Sequence, residues 1–151
     1  MSYPDLSNDV VRAVLDSPTP ELAMEQTVEM LKVRLPHYTW VGIYLMEGDE
    51  LVLGPYLGAP SPHTRIPLNR GICGAAAREK MTIIVDDVNA DPRYLACSLE
   101  TRSEIVVPIM RGDTVLGEID IDSDKTAAFN NDDKVLLQTI ARALATRLAD
   151  K

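Results

Sequence analysis

The sequence predicts an α+β domain, with an antiparallel sheet carrying helices on one face. Three observations lead there. Strand-like segments come mostly as pairs joined by short turns, 39–45 with 51–56 and 103–109 with 115–123. Segments with helical apolar spacing occupy both ends of the chain. One short helix-like stretch, 71–78, lies between them. At 151 residues the chain is the size of one domain with a real core.

Ser7 or Asn8 predicts the start of a first helix carrying Val10, Val11, Val14 and Leu15, ended by Asp16-Ser17-Pro18. Thr19-Pro20-Glu21 predicts a second start: a capping hydroxyl, proline at the first helical position, acid in the first turn. Leu22, Ala23, Val28, Leu31 and Leu35 continue that helix, and Pro36 stops it. Residues 39–45 read as a strand, Glu47-Gly48-Asp49-Glu50 as a turn, and 51–56 as the returning arm. Gly58 to His63 is a proline-bearing loop, and Arg65-Ile66-Pro67 is a short extended piece. Small residues dominate Gly71-Ile72-Cys73-Gly74-Ala75-Ala76-Ala77-Arg78, a short helix able to approach a neighbour closely. Thr82-Ile83-Ile84-Val85 is a strand, and 86–102 shows no periodicity. A loop of that length in a small domain is usually functional or mobile. Asn130 or Asn131 caps a last helix with Leu136, Ile140, Leu144 and Leu148 on one side.

The two arms at 103–109 and 115–123 are the most informative part of the chain. Side chains alternate between faces along a strand. Ile105, Val107 and Ile109 share one face, as do Val115, Gly117, Ile119 and Ile121. Glu104, Glu118, Asp120 and Asp122 point the other way. Turning at Arg111-Gly112-Asp113, with both apolar faces aligned, the arms are expected to set Ile105 opposite Ile119 and Glu104 opposite Asp120. Like charges placed directly across a sheet are destabilising, which favours a functional use for Glu104, Asp120 and Asp122. Glu118 reads as an ordinary solvated strand position. Such a cluster can hold a proton near neutral pH, bind an ammonium group, or bind a divalent cation through oxygen.

Other candidates are read both ways. Cys73 and Cys97 are the only cysteines. Cys97, in the long segment, is either a reactive or an inert thiol. Cys73 is either a packing residue between glycines or a thiol with a lowered pKa at a helix start. Trp40 and Tyr44 share one face of their strand, as core or as a pocket wall. His37 and His63 stand alone without zinc-ligand spacing, and no metal site is expected. A net charge of −8 makes nucleic acid and anionic membranes poor partners. No apolar run spans a bilayer and the first residues lack signal-peptide features, so a cytoplasmic protein is expected.

Several motifs, in matching order, resemble the free methionine-(R)-sulfoxide reductases, single-domain enzymes of the GAF fold. They are Trp40-Val41-Gly42-Ile43-Tyr44-Leu45, Leu53-Gly54-Pro55-Tyr56, Arg65-Ile66-Pro67, Arg70-Gly71-Ile72-Cys73-Gly74, Ala96-Cys97, Ser103-Glu104-Ile105-Val106-Val107-Pro108 and Gly117-Glu118-Ile119-Asp120-Ile121-Asp122-Ser123. The resemblance implies one GAF domain over 1–151, with N-terminal helices in 1–36, sheet and pocket in 37–129 and a C-terminal helix in 130–151. It implies an antiparallel sheet of about six strands, terminal helices on one face and a ligand pocket on the other. It also implies a homodimer.

For function, the resemblance implies thiol-dependent reduction of free methionine-(R)-sulfoxide without a cofactor. Cys97 matches the catalytic thiol and Cys73 a second family cysteine. Glu104, Asp120 and Asp122 would bind and polarise the substrate, with Trp40 and Tyr44 lining the pocket. A sulfenic acid on Cys97 would be resolved by Cys73 and a thioredoxin-like reductant, or reduced directly by an external thiol. The family's usual third cysteine is replaced here by His63, which bears on recycling and activity. The alternatives are a non-catalytic sensor of an amino-acid-like ligand and a carboxylate-based divalent-metal-binding module.

Overall fold

The structure, a computed structural model, describes residues 3–95 and 100–149. Helices α1 (Tyr3–Asp16) and α2 (Pro20–Arg34) lead into strands β1 (Trp40–Glu47), β2 (Glu50–Leu57) and β3 (Arg65–Pro67). Helix α3 (Gly71–Glu79), strand β4 (Ile83–Val85) and a 3₁₀ turn at Val88–Ala90 follow. Strands β5 (Ser103–Arg111) and β6 (Thr114–Ser123) and helix α4 (Asn131–Leu148) complete the domain. The six strands form one sheet in the order β3-β2-β1-β6-β5-β4, every neighbouring pair antiparallel. Among the described residues, no helix is long and apolar enough to cross a membrane.

The helix starts follow local chemistry. Thr19 caps α2 by accepting from the Leu22 N–H, with Pro20 in the first turn. Asn130 caps α4 in a capping box: its side chain accepts from the Asp132 and Asp133 N–H groups, and Asp133 accepts from the Asn130 N–H at 2.9 Å. Helix α1 begins at Tyr3, four residues before the expected cap at Ser7. Leu6, Val10 and Val14 form its buried face, while Leu15 is exposed. Leu6 recurs at helical spacing with Val10 and extends the stripe N-terminally.

Helices α1, α2 and α4 cover one face of the sheet. Their apolar sides close over Val41, Ile43, Ile105, Val107, Ile109, Ile119 and Ile121. Each fully buried aliphatic side chain contributes about 1.5–3 kcal/mol. Helix α3 lies on the opposite face and helps form a second buried cluster with Trp40, Tyr44, Ile72, Cys73 and Val106.

The register of β5 on β6 differs from the expected one by two residues. Ile105 pairs with Ile121 and Val107 with Ile119, so Glu104 faces Asp122 and Asp120 faces Val106. Two features cause the shift. The turn at Gly112-Asp113 joins Arg111 directly to Thr114. A bulge then leaves Leu116 without an opposite residue, between the pairs Met110–Val115 and Ile109–Gly117. The bulge also turns Val115 away from Ile119 and Ile121, into the second cluster. A shift of two keeps every side chain from Gly117 onward on its expected face; a shift of one would not.

Candidate active site

Four acids line the face of the sheet that α3 covers. On β6, Glu118, Asp120 and Asp122 alternate with the core-facing Ile119 and Ile121. Glu104 adds a carboxyl from β5, directly across from Asp122. β1 flanks β6 on its other side, pairing Trp40 with Asp122, Gly42 with Asp120 and Tyr44 with Glu118. The three strands therefore present Glu104, Glu118, Asp120, Asp122, Trp40 and Tyr44 together. All six are buried, none more than 7% exposed.

The aromatic side chains are fixed from outside the sheet. Trp40 Nε1 donates to the Ala59 carbonyl at 2.9 Å, and its ring stacks on Tyr56 at 5.6 Å. Tyr44 donates its hydroxyl to the His63 carbonyl at 2.9 Å. Gly42 lies between them because a Cβ there would collide with the Trp40 ring. His63 thus meets the site through its backbone, which any residue supplies.

Helix α3 sets Cys73 against the acids. Ala75, Ala76 and Ala77 are buried, and Gly74 lies so close to the Leu68 carbonyl that a side chain would clash. The Cys73 sulfur and one oxygen each of Glu104 and Asp120 lie within 4.8 Å of one another. These three groups, with Tyr44, Ile66, Ile72 and Leu95, enclose a cavity of about 10 Å³. Trp40 and Asp122 line a separate cavity of about 140 Å³ with Thr39, Ala59, Glu100, Thr101 and Asp124. A larger groove of about 650 Å³ runs between the starts of α1 and α4, lined by Tyr3, Ser7 and Asn130 among others. It lies on the far side of the sheet, and its described lining holds no cysteine and a single carboxyl, Asp132, so volume alone does not mark the site.

Burial governs protonation here. It pushes the Glu118 carboxyl well above its ordinary pKa, and the charge of Asp120 adds to the rise. Both Glu118 oxygens are buried without a hydrogen-bond partner. The Cys73 thiol lies close enough to offset part of the shift without reaching hydrogen-bond geometry. Burial also raises Asp122 strongly, with Asp120 again adding, and raises Asp120 against opposing hydrogen bonds from Glu104 and Cys73. One oxygen each of Asp120 and Asp122 is buried unpartnered. The Cys73 thiol is pushed up by burial first and by the neighbouring acids second. The lowered pKa considered for a thiol at a helix start is therefore reversed here, because the adjacent carboxyls and the loss of solvent outweigh the helix N–H groups. Burial thus favours the protonated form of Glu118, Asp120, Asp122 and the Cys73 thiol.

The structure brings Trp40, Tyr44, Cys73, Glu104, Asp120 and Asp122 into one region. Cys97 lies outside the described residues. Glu118 corrects the sequence reading: it is fully buried on the acid face rather than solvated. Its alternation with Asp120 and Asp122 already placed it there; the missing information was that α3 covers this end of the strand.

Residues 19–148 match the GAF domain model. The chain is 35% identical over 148 residues to the free methionine-R-sulfoxide reductase of Escherichia coli (strain K12), covering 97% of this chain and 88% of the relative. It is 36% identical to the Saccharomyces cerevisiae protein of that name, covering 95% of this chain and 80% of the relative. Among solved structures, the substrate complex of the Neisseria meningitidis free methionine-R-sulfoxide reductase superposes with a TM-score of 0.92 at 36% identity, over 97% of this chain and 88% of that one.

Proposed function

This chain belongs to the free methionine-R-sulfoxide reductase family of GAF domains, and from that premise we propose that it reduces free methionine-(R)-sulfoxide to methionine by thiol chemistry. The observation that carries the reading is the set of buried carboxyls, raised in pKa, packed beside the Cys73 thiol on one sheet face. A protonated carboxyl there donates to the sulfoxide oxygen, polarising the S=O bond as general acid. A second carboxyl pairs with the substrate ammonium group. Trp40 meets the methyl end through sulfur–aromatic packing. Coupling among the carboxyls makes their protonation a property of the group rather than of one residue.

In this reading Cys97 attacks the substrate sulfur as a thiolate. The oxygen passes to Cys97 as a sulfenic acid, and methionine departs. Cys73 then displaces that oxygen as water, forming a Cys73–Cys97 disulfide, which a dithiol reductant of the thioredoxin class reopens. Cys73 takes the resolving role because it is the one other cysteine in the sequence. The setting proposed is the cytoplasm, where such reductants keep thiols reduced. The assembly proposed is a homodimer, in keeping with apolar Leu15, Val33 and Val135 exposed on the helical layer. Light scattering of the purified chain checks the assembly.

The activity test compares both epimers of free and peptide-bound methionine sulfoxide with dithiothreitol as reductant. The expected result is turnover of the free R epimer alone, abolished in Cys97→Ser. Binding of free sulfoxide without turnover would contradict the reading and identify a sensor. Substrate treatment without reductant should leave no titratable thiol in the monomer; one remaining thiol per chain would contradict the resolving role of Cys73.

A further inference from the structure

We propose that Cys73, Glu104 and Asp120 form a three-ligand site for a thiophilic divalent cation of the zinc class, in the cavity between α3 and the sheet. The three donors come from α3, β5 and β6, and lie within 4.8 Å of one another. Tetrahedral zinc, with bonds near 2.0–2.3 Å, places its donors about 3.6 Å apart. Side-chain rotations of roughly an ångström therefore close the shell around an ion.

A second observation concerns an oxygen of Asp120 that its contacts with Glu104 and Cys73 leave over. Asp120, which lines the cavity and is 2% exposed, keeps Oδ1 without a hydrogen-bond partner. Buried acceptors of this kind are costly unless something satisfies them. No Lys or Arg is among the residues lining the cavity, so no described side chain there supplies a positive charge. The free volume of about 10 Å³ suits an ion and its ligands better than an amino acid in the present arrangement.

Donor chemistry selects the cation. A sulfur ligand with two carboxylate oxygens favours zinc or cobalt over magnesium or calcium, which take all-oxygen shells. Binding displaces the Cys73 proton and any on the two carboxyls, so affinity rises with pH. The cation fixes Cys73 as a metal thiolate, unavailable to attack a sulfenic acid. Competition between cation and sulfoxide rests on the function proposed above; metal binding does not.

The test titrates Co²⁺ or Zn²⁺ alone into the chelator-treated full chain. One equivalent per chain is expected, with a sulfur-to-cobalt charge-transfer band in the near ultraviolet. Cys73→Ser should abolish the band, and Cys97→Ser should retain it. Asp120→Asn and Glu104→Gln should each weaken Zn²⁺ binding by more than about tenfold, the loss that outer-shell changes alone often cause. These two variants decide the question if Cys73→Ser fails to fold. Absence of binding, a band lost with Cys97 rather than Cys73, or unchanged affinity in both carboxamide variants would overturn the proposal. Sulfoxide reduction by the metal-free enzyme is scored separately, so failure of the reductase reading leaves the cobalt result standing, and the reverse.

Discussion

The two faces of the central sheet are built from alternate residues of the same strands, yet they follow opposite rules. On the helical face, Ile105, Val107, Ile119 and Ile121 pair across β5 and β6 and pack beneath α1, α2 and α4. Burial there is favourable for every side chain. On the α3 face, Glu104, Glu118, Asp120 and Asp122 are nearly as buried, and the loss of solvent raises the pKa of the last three. The helical face carries the stability that the acid face gives up. A fold can sustain so concentrated a set of acids only where an uninterrupted apolar layer lies one residue away on the same strands.

The sharpest way to break this comparison is to substitute on each face in turn. Asp120→Asn should lower kcat/KM for free methionine-(R)-sulfoxide by about 10²–10⁴-fold, the usual range for a general acid, while leaving the melting temperature equal or higher. Loss of stability in parallel with activity would show that the acid face is structural. Ile119→Ala, its neighbour on the other face, should lower the unfolding free energy by about 2–5 kcal/mol in a urea titration. A cost below about 1 kcal/mol would show that the helical layer is not the load-carrying core.

How much of this was legible in the sequence divides along the same line. The alternation in Gly117-Glu118-Ile119-Asp120-Ile121-Asp122 assigns every side chain to its face without reference to any neighbour. The capping chemistry of Thr19 and Asn130 is likewise local, and both caps form as read. Register was not legible, because one unpaired residue at Leu116 and a tighter turn at Gly112-Asp113 move the pairing by two. The burial of Glu118 was not legible either. A strand pattern gives the face of a residue but not what covers that face, and the cover here is α3, distant in sequence. Cys97 matched a family motif, yet its geometry lies outside the described residues.

The acid face also makes stability depend on pH in a defined direction. A carboxyl whose folded pKa is raised binds protons more tightly folded than unfolded. Its contribution is fully present below the unfolded value of about 4 and is lost as pH rises toward the raised folded value. Between those limits each such group costs up to about 1.4 kcal/mol per pH unit. Wild-type stability should therefore fall as pH rises from about 4, and Glu118→Gln should flatten that fall. Urea titrations across the range check the slope; identical slopes in both proteins would contradict the assigned protonation of Glu118.

The smallest effect is expected far from either face. Thr19→Ala removes the cap of α2, where the hydroxyl accepts from the Leu22 N–H at 3.1 Å. It should cost about 1 kcal/mol and leave kcat/KM unchanged. A change in activity would mean that α2 is coupled to the site.

The most direct measurement is a carboxyl ¹³C NMR titration of the selectively labelled chain. Protonated signals from Glu118 and Asp122 should persist at neutral pH and disappear in Glu118→Gln and Asp122→Asn respectively. Titration of every carboxyl below about pH 5, in the range of exposed Asp and Glu, would contradict the account.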